Sequence, residues 1–389
     1  MTSRICFLII TLFFNSQVYS FQMSDNERLI KLKKKYIELD LNKELKNINE
    51  LLTDFDEISY LYGKKKEYEK AVFYTEKLLR ISQKISNKEY IVKANMKLAR
   101  YKRKQSKNLE ALFFFKSALK YFLEKKDSLE IGKVYRNIAQ IQSFFGDYLS
   151  SEKNNVRALQ YIKESYKSRR AIIYYNIGRD YKKRKLFYEA ISRYELAINI
   201  SKNIRHKIKF YNAKANAFRY LNQNYKSISI FTSLLDTVDY EKRIESKARV
   251  IDNLAFAKWL QNPKKNVLPQ LIEAMLIREK EKDFNGLKAS YAHLSDYYNS
   301  LNESKSLEYA YKMYKVSKQE KSPYDVIEAI DKISSKEEPK KALLYLQERI
   351  RISDSLQLAK ENSQHKYALI KYESEENEKK ALQSKLVVE

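Results

Sequence analysis

The stretch AIIYYNIGRDYKKRKLFYEAISRYELAINISK, residues 171–202, carries the strongest fold signal in the chain. Tyr174, Ile177, Gly178 and Tyr181 fall at helical spacing. After a short basic break, Phe187, Ala190, Tyr194, Ala197 and Ile198 do so again. Two amphipathic helices joined by a turn are expected. The small residues Gly178 and Ala190 would let them approach closely, leaving rings to fill the space toward the next pair.

The pattern recurs along the chain. Counting Ala171 as position 1, the residues at position 8 are Ser59, Ala99, Ala139, Gly178, Asn216, Ala255, Ser295 and Ile330. They are separated by 40, 40, 39, 38, 39, 40 and 35 residues. Good copies hold Leu98-Ala99 with Ala111, Phe115 and Ala118, and Ile138-Ala139 with Tyr148 and Ala158. Weaker ones hold Ile58-Ser59 with Tyr68 and Ala71, Leu254-Ala255 with Leu271 and Ala274, and Leu294-Ser295 with Tyr311. The last runs through Val326, Ala329 and Ala342.

These residues resemble the tetratricopeptide repeat (TPR) consensus, with a large residue at position 4, Leu-Gly at 7 and 8, Tyr at 11 and 17, and Ala at 20 and 27. The period near 39 exceeds the 34 of the standard unit, so a longer second helix or a longer loop after it is expected. The resemblance implies an all-α, right-handed superhelical solenoid of about eight TPR-like hairpins over residues 51–349. One hairpin cannot bury both of its faces, so copies must stack. Most of the 32 tyrosines are then core. Residues 21–50, with Leu29, Leu32, Ile37, Leu41, Leu45 and Ile48 among charges, read as a capping helix, and residues 350–389 as a charged helix or weak coiled coil.

Composition agrees with helices. The 389 residues are 44% hydrophobic, which supplies a core, and the repeats override a length-based count of two or three domains. Five Gly and four Pro argue against many tight turns. The net charge of +27 suits an anionic partner, but abundant Lys, Asn, Ile, Tyr and Phe also follow from an A/T-rich genome.

Arg4, the apolar run Ile5–Phe14 and Val18-Tyr19-Ser20 have the layout of a secretory signal peptide over residues 1–20, cleaved after Ser20. Retention as an uncleaved anchor is the alternative. Periplasmic or envelope location is therefore expected. The one cysteine, Cys6, lies in this leader, so no disulfide or thiolate site is expected in the mature chain.

His206, His293 and His365 lack metal-ligand spacing, no glycine pair forms a phosphate loop, and Glu375-Glu376 reads as solvated helix. Neither an enzyme nor a cofactor or metal is expected. The basic runs Lys64–Lys66, Lys102–Lys104 and Lys182–Lys185 sit at the ends of first helices, where cations complement the helix dipole. Stacking would also align them into a basic edge.

The TPR resemblance further implies a binding face on the first helices. Asn137, Asn176 and Asn253 occupy position 6, where family members hydrogen-bond a bound peptide backbone. Arg100 and Arg179 at position 9, Arg136 and Tyr175 at position 5, and Asp252, Phe256 and Trp259 extend that face. Ile172 replaces a lysine of the carboxylate-clamp pattern, which puts a C-terminal carboxylate ligand in doubt. Residues 366–375 also resemble the segment after the repeats in exported TPR sensors of Bacteroidetes, where a membrane span and an output domain follow; neither is found before Glu389. The expected function is a protein- or peptide-binding scaffold or sensory module of the envelope. Binding to an anionic lipid or acidic polymer through the basic edge is one alternative. A cytoplasmic regulator is the other, if the leader is not cleaved. Nucleic acid is not an expected partner.

Overall fold

The computed structural model describes residues 24–41, 48–240 and 243–388. The expected leader, 1–20, lies outside them. The described residues form seventeen helices and no strands. They divide between two compact units, one ending at Lys125 and the other beginning at Lys126.

The first unit holds α1 (Asp25–Leu41), α2 (Ile48–Lys64), α3 (Tyr68–Lys84), α4 (Lys88–Lys104) and α5 (Asn108–Glu124). The second begins with α6 (Ser128–Phe144), α7 (Tyr148–Tyr161), α8 (Lys167–Lys183), α9 (Phe187–Ile200), α10 (Ile204–Tyr220) and α11 (Asn224–Thr237). It continues with α12 (Ile244–Gln261), α13 (Leu268–Lys280), α14 (Phe284–Tyr298), α15 (Glu303–Gln319), α16 (Pro323–Ser334) and α17 (Pro339–Val388). From α2 onward each even-numbered helix pairs with the next, giving eight TPR-like hairpins. Leu29 of α1 joins the core of the first hairpin with Leu52, Phe55 and Ile58. Ile48, expected in the capping helix, instead opens α2.

Each hairpin closes where side chains are small. Ser59, Ala99, Ala139, Ala255 and Ser295 on the first helices are at most 1% exposed, as are Ala71, Ala111, Ser151, Ala190, Ser227 and Ser306 on the second. At Gly178 the fit is tight enough to exclude a methyl group, since a Cβ there would lie 2.6 Å from the Tyr194 ring and 3.1 Å from the Ala190 carbonyl. Ser306 Oγ donates to the Ser295 carbonyl at 2.8 Å across the same approach in the seventh hairpin. The long period has a simple origin: α2 to α5 are 17 residues each, separated by three-residue turns. In α7 and α11 the second helix is shorter and the connection after it is longer.

Tight turns abound despite the scarcity of glycine. Lys66, Ser86, Ser106, Lys185, Asn222, Lys282 and Lys321 all have positive φ, and Gly146 is the glycine counterpart. At each the following amide reaches back five residues, as Leu186 N does to the Tyr181 carbonyl at 2.9 Å. This is the Schellman closure of a helix. Placing lysine or serine there costs about 1 kcal/mol relative to a relaxed backbone, which the packed hairpin overcomes. Asn87, Asp127, Asp147, Asn203, Asp283 and Asn302 then cap the next helix with a side-chain oxygen.

The turn around Gly146 also receives the last helix. Gln364 Nε2 of α17 donates to the Phe145 carbonyl at 3.0 Å, and Tyr367 stacks on the Phe145 ring at 4.7 Å. The Tyr367 hydroxyl and the Lys371 ammonium both donate to Asp147 Oδ2 at 2.8 Å. Gln364, Tyr367 and Lys371 of the expected charged tail thus dock on the second unit's first hairpin. Burial alone would raise the Asp147 carboxyl, but its bonds to Lys371, Tyr367 and Ser150 outweigh that and hold it below the usual aspartate range. A depressed carboxylate stabilises the fold above its unfolded pKa, and the stabilisation fades as pH falls through the folded value. The wild type should therefore melt higher than Asp147→Asn at neutral pH, with the gap closing below about pH 4. A gap that persisted unchanged to about pH 2 in a thermal scan would contradict this linkage.

Candidate binding face of the second unit

The first helices of the second unit present a continuous row of rings, amides and cations. At its centre is a cavity of about 410 Å³. Tyr175, Arg179, Lys182 and Lys183 of α8 line one side, and Tyr194 of α9 contributes. Lys209, Asn212, Ala213 and Asn216 of α10 and Arg249 of α12 complete it. Tyr175 stacks on Phe210 at 4.9 Å, and the Lys209 ammonium sits 4.6 Å from the Tyr175 ring centre. Partial desolvation at the cavity, together with Arg179 and Arg249, holds the Lys209 ammonium below its ordinary range.

Position 6 holds its asparagines in three different states. Asn137 Nδ2 donates to the Lys133 carbonyl of its own helix at 2.8 Å, so that amide donor is already engaged. Asn253 Nδ2 donates to Asn212 Oδ1 at 2.8 Å, joining α12 to α10. Asn176 is 7% exposed and its Nδ2 has no partner within the protein. Burying an unpaired amide donor costs about 1–3 kcal/mol, a cost the fold carries at Asn176.

Beyond Asn253 the face turns aromatic. Phe256 stacks on His293 at 3.9 Å and lies 5.4 Å from Trp259, while the Arg219 guanidinium sits 5.2 Å from the Phe256 ring. Beneath them is a buried ionic network. Asp252 Oδ2 accepts from Arg278 Nη1 at 2.9 Å and lies 3.1 Å from His293 Nδ1; Arg278 also donates to Ser290 Oγ at 2.6 Å. Burial alone would raise the Asp252 carboxyl, but His293 and Arg278 more than offset it and the group lies below the usual aspartate range.

Of the residues expected on the face, Tyr175, Asn176, Arg179, Asn253, Phe256 and Trp259 fall on this row. Asp252 does not reach its surface: at 1% exposure it serves the core. Arg136 and Asn137 lie on α6, nearer the start of the unit, and Arg100 is an exposed residue of α4 in the first unit. Lys209, Asn212, Asn216 and Arg249 went unanticipated. Only Asn216 carried a signal, a polar residue in the small-residue slot. Among the described residues no group of three or more His, Cys, Asp or Glu could hold a metal, and no helix is long and apolar enough to cross a membrane.

The basic runs are partly absorbed by the fold. Lys102 is buried and pairs with Glu110 at 2.8 Å, and Lys183 donates to Ser143 Oγ at 3.1 Å. Lys66 and Lys185 serve as left-handed turn residues.

No protein-family model matches the chain, and no curated protein matches it in sequence. Solved structures do match its fold. The apo quorum sensor NprR from B. thuringiensis is 15% identical, with a TM-score of 0.58 over 79% of this chain and 92% of that one. The apo form of RapI is 16% identical, with a TM-score of 0.55 over 73% and 99%. The Rap conjugation gene regulator of plasmid pLS20, in complex with the Phr* peptide, is 12% identical, with a TM-score of 0.52 over 86% and 96%. At such identities the likeness is one of fold, and that fold is the TPR-like helical repeat.

Arg278→Met would strand Asp252 in the core with His293 as its remaining partner. Removing one member of a buried pair costs about 3–5 kcal/mol, so denaturant unfolding should show a loss of that size. The double variant Asp252→Leu/Arg278→Met should lose clearly less. A double-variant loss equal to the sum of the Asp252→Leu and Arg278→Met losses would mean the two charges act independently.

Proposed function

We propose that the chain is a peptide-recognition module, and that the first-helix row of the second unit, from Tyr175 to Trp259, holds an extended segment of another protein. The observation that carries this reading is Asn176, a buried amide donor without a partner, set beside half-buried rings and amides on one row. An extended peptide offers a carbonyl to such a donor and side chains to the rings between helices. The fold likeness to the pLS20 regulator in complex with a peptide supports the same class of ligand. The internal engagement of Lys102 and Lys183 weakens the competing reading of a basic edge on an anionic surface, because those charges already have partners.

A random peptide library displayed against the full chain should yield binders. Phe256→Ala and Asn176→Ala should each weaken a selected peptide by about tenfold, equivalent to roughly 1.4 kcal/mol, in fluorescence anisotropy. Failure to enrich any peptide, or affinities within about twofold of wild type in both variants, would sink the proposal.

A further inference from the structure

We propose that the central cavity of this face takes a carboxylate of the bound peptide, so that the recognised segment is acidic. The inference rests on the peptide-binding reading and specifies its ligand. Arg179, Lys182, Lys209 and Arg249 converge on a cavity of about 410 Å³. Among the described residues no carboxylate forms an ion pair with any of them. The nearby acid, Asp180, is buried, and its two oxygens accept the hydroxyls of Ser143 and Ser151 at 2.5 and 2.6 Å. Four cations gathered without a counter-charge repel one another, and an incoming carboxylate relieves that repulsion while gaining charge-assisted hydrogen bonds.

A second observation points to a ligand. Tyr194 is fully buried, lines the cavity, and its hydroxyl has no hydrogen-bond partner in the protein. Buried hydroxyls are nearly always paired, and a carboxylate oxygen held by the cations would supply the missing acceptor. The cavity is near the small end of ligand sites, about 300–1,000 Å³, which suits one or two acidic side chains of a longer segment. The Asn216 carbonyl oxygen, also unpaired, can accept from that segment's backbone amide. Such a mixture of amides and cations favours a peptide carboxylate over a bare phosphate.

The test uses the full chain and dye-labelled hexapeptides: hexaglutamate with an amidated end, hexaglutamine with a free carboxylate end, and hexaglutamine amidated. Arg249 and Lys209 are exposed at the cavity, so Arg249→Ala and Lys209→Ala should leave the thermal melt intact. Each should weaken amidated hexaglutamate by about tenfold, the loss of one hydrogen bond to a charged group. Lys66→Ala/Lys104→Ala, on the first unit, should change it by less than about twofold. Binding of hexaglutamine only when its end is free would locate the carboxylate at a chain terminus; binding of amidated hexaglutamate locates it on side chains. Equal losses in the two sets of variants would overturn the assignment in favour of diffuse attraction. Pyrophosphate binding at the cavity with no binding of either carboxylate peptide would overturn it in favour of a phosphate site. Library peptides that require Phe256 yet are not displaced by hexaglutamate would overturn it while leaving peptide recognition standing.

Discussion

The close approach of two helices within each hairpin is the constraint from which the rest follows. Small residues at one point of the first helix and one of the second bring the backbones together, as where Gly178 meets Tyr194 and the Ala190 carbonyl. With the seam closed by alanine, serine and glycine, the large rings must point elsewhere. Tyr194, Phe115, Phe210 and Phe231 are fully buried. Burying each contributes about 1.5–3 kcal/mol, and within the second unit a neighbouring hairpin covers Tyr194, Phe210 and Phe231. Stacking is therefore obligatory, and the turns that permit it can carry strained lysines and serines because the packing on both sides holds them.

Stacking in this way gives the first helices of the second unit a row of rings, amides and cations around a cavity. Its polar groups divide into those the fold has satisfied and those it has not. Asn137, Asn253 and Asp252 have internal partners. The Asn176 amide donor and the Tyr194 hydroxyl have none, and the cations around Arg249 have no carboxylate partner among the described residues. The ionic network of Asp252, Arg278 and His293 fixes the aromatic end of the same face, since His293 both bonds Asp252 and stacks on Phe256.

The hairpins were legible because their determinants are local: apolar spacing, a small residue at a fixed place, and a period near 39 that the helix starts reproduce. The turns were less so. Lysine at a left-handed position has no sequence signature, and the scarcity of glycine pointed the wrong way. On the face, the family-like positions located Tyr175, Asn176, Arg179 and Phe256. They could not separate Asn137, which bonds its own helix, from Asn176, which does not, because that depends on side-chain geometry. Asp252 misled for a related reason: the charge that complements it, Arg278, occupies a place on the second helix where the pattern expects alanine. Lys209 and Arg249 come from two further helices, and only packing shows that they share a cavity. The docking of Tyr367 and Lys371 on Asp147 spans some 220 residues and leaves no local trace.

Amide hydrogen exchange, with and without a saturating library-selected peptide, addresses the central claim most directly. Binding along the first-helix row should slow exchange in α8, α10 and α12, with α11 and the first unit unchanged. Protection confined to the second helices, or to the first unit, would contradict it.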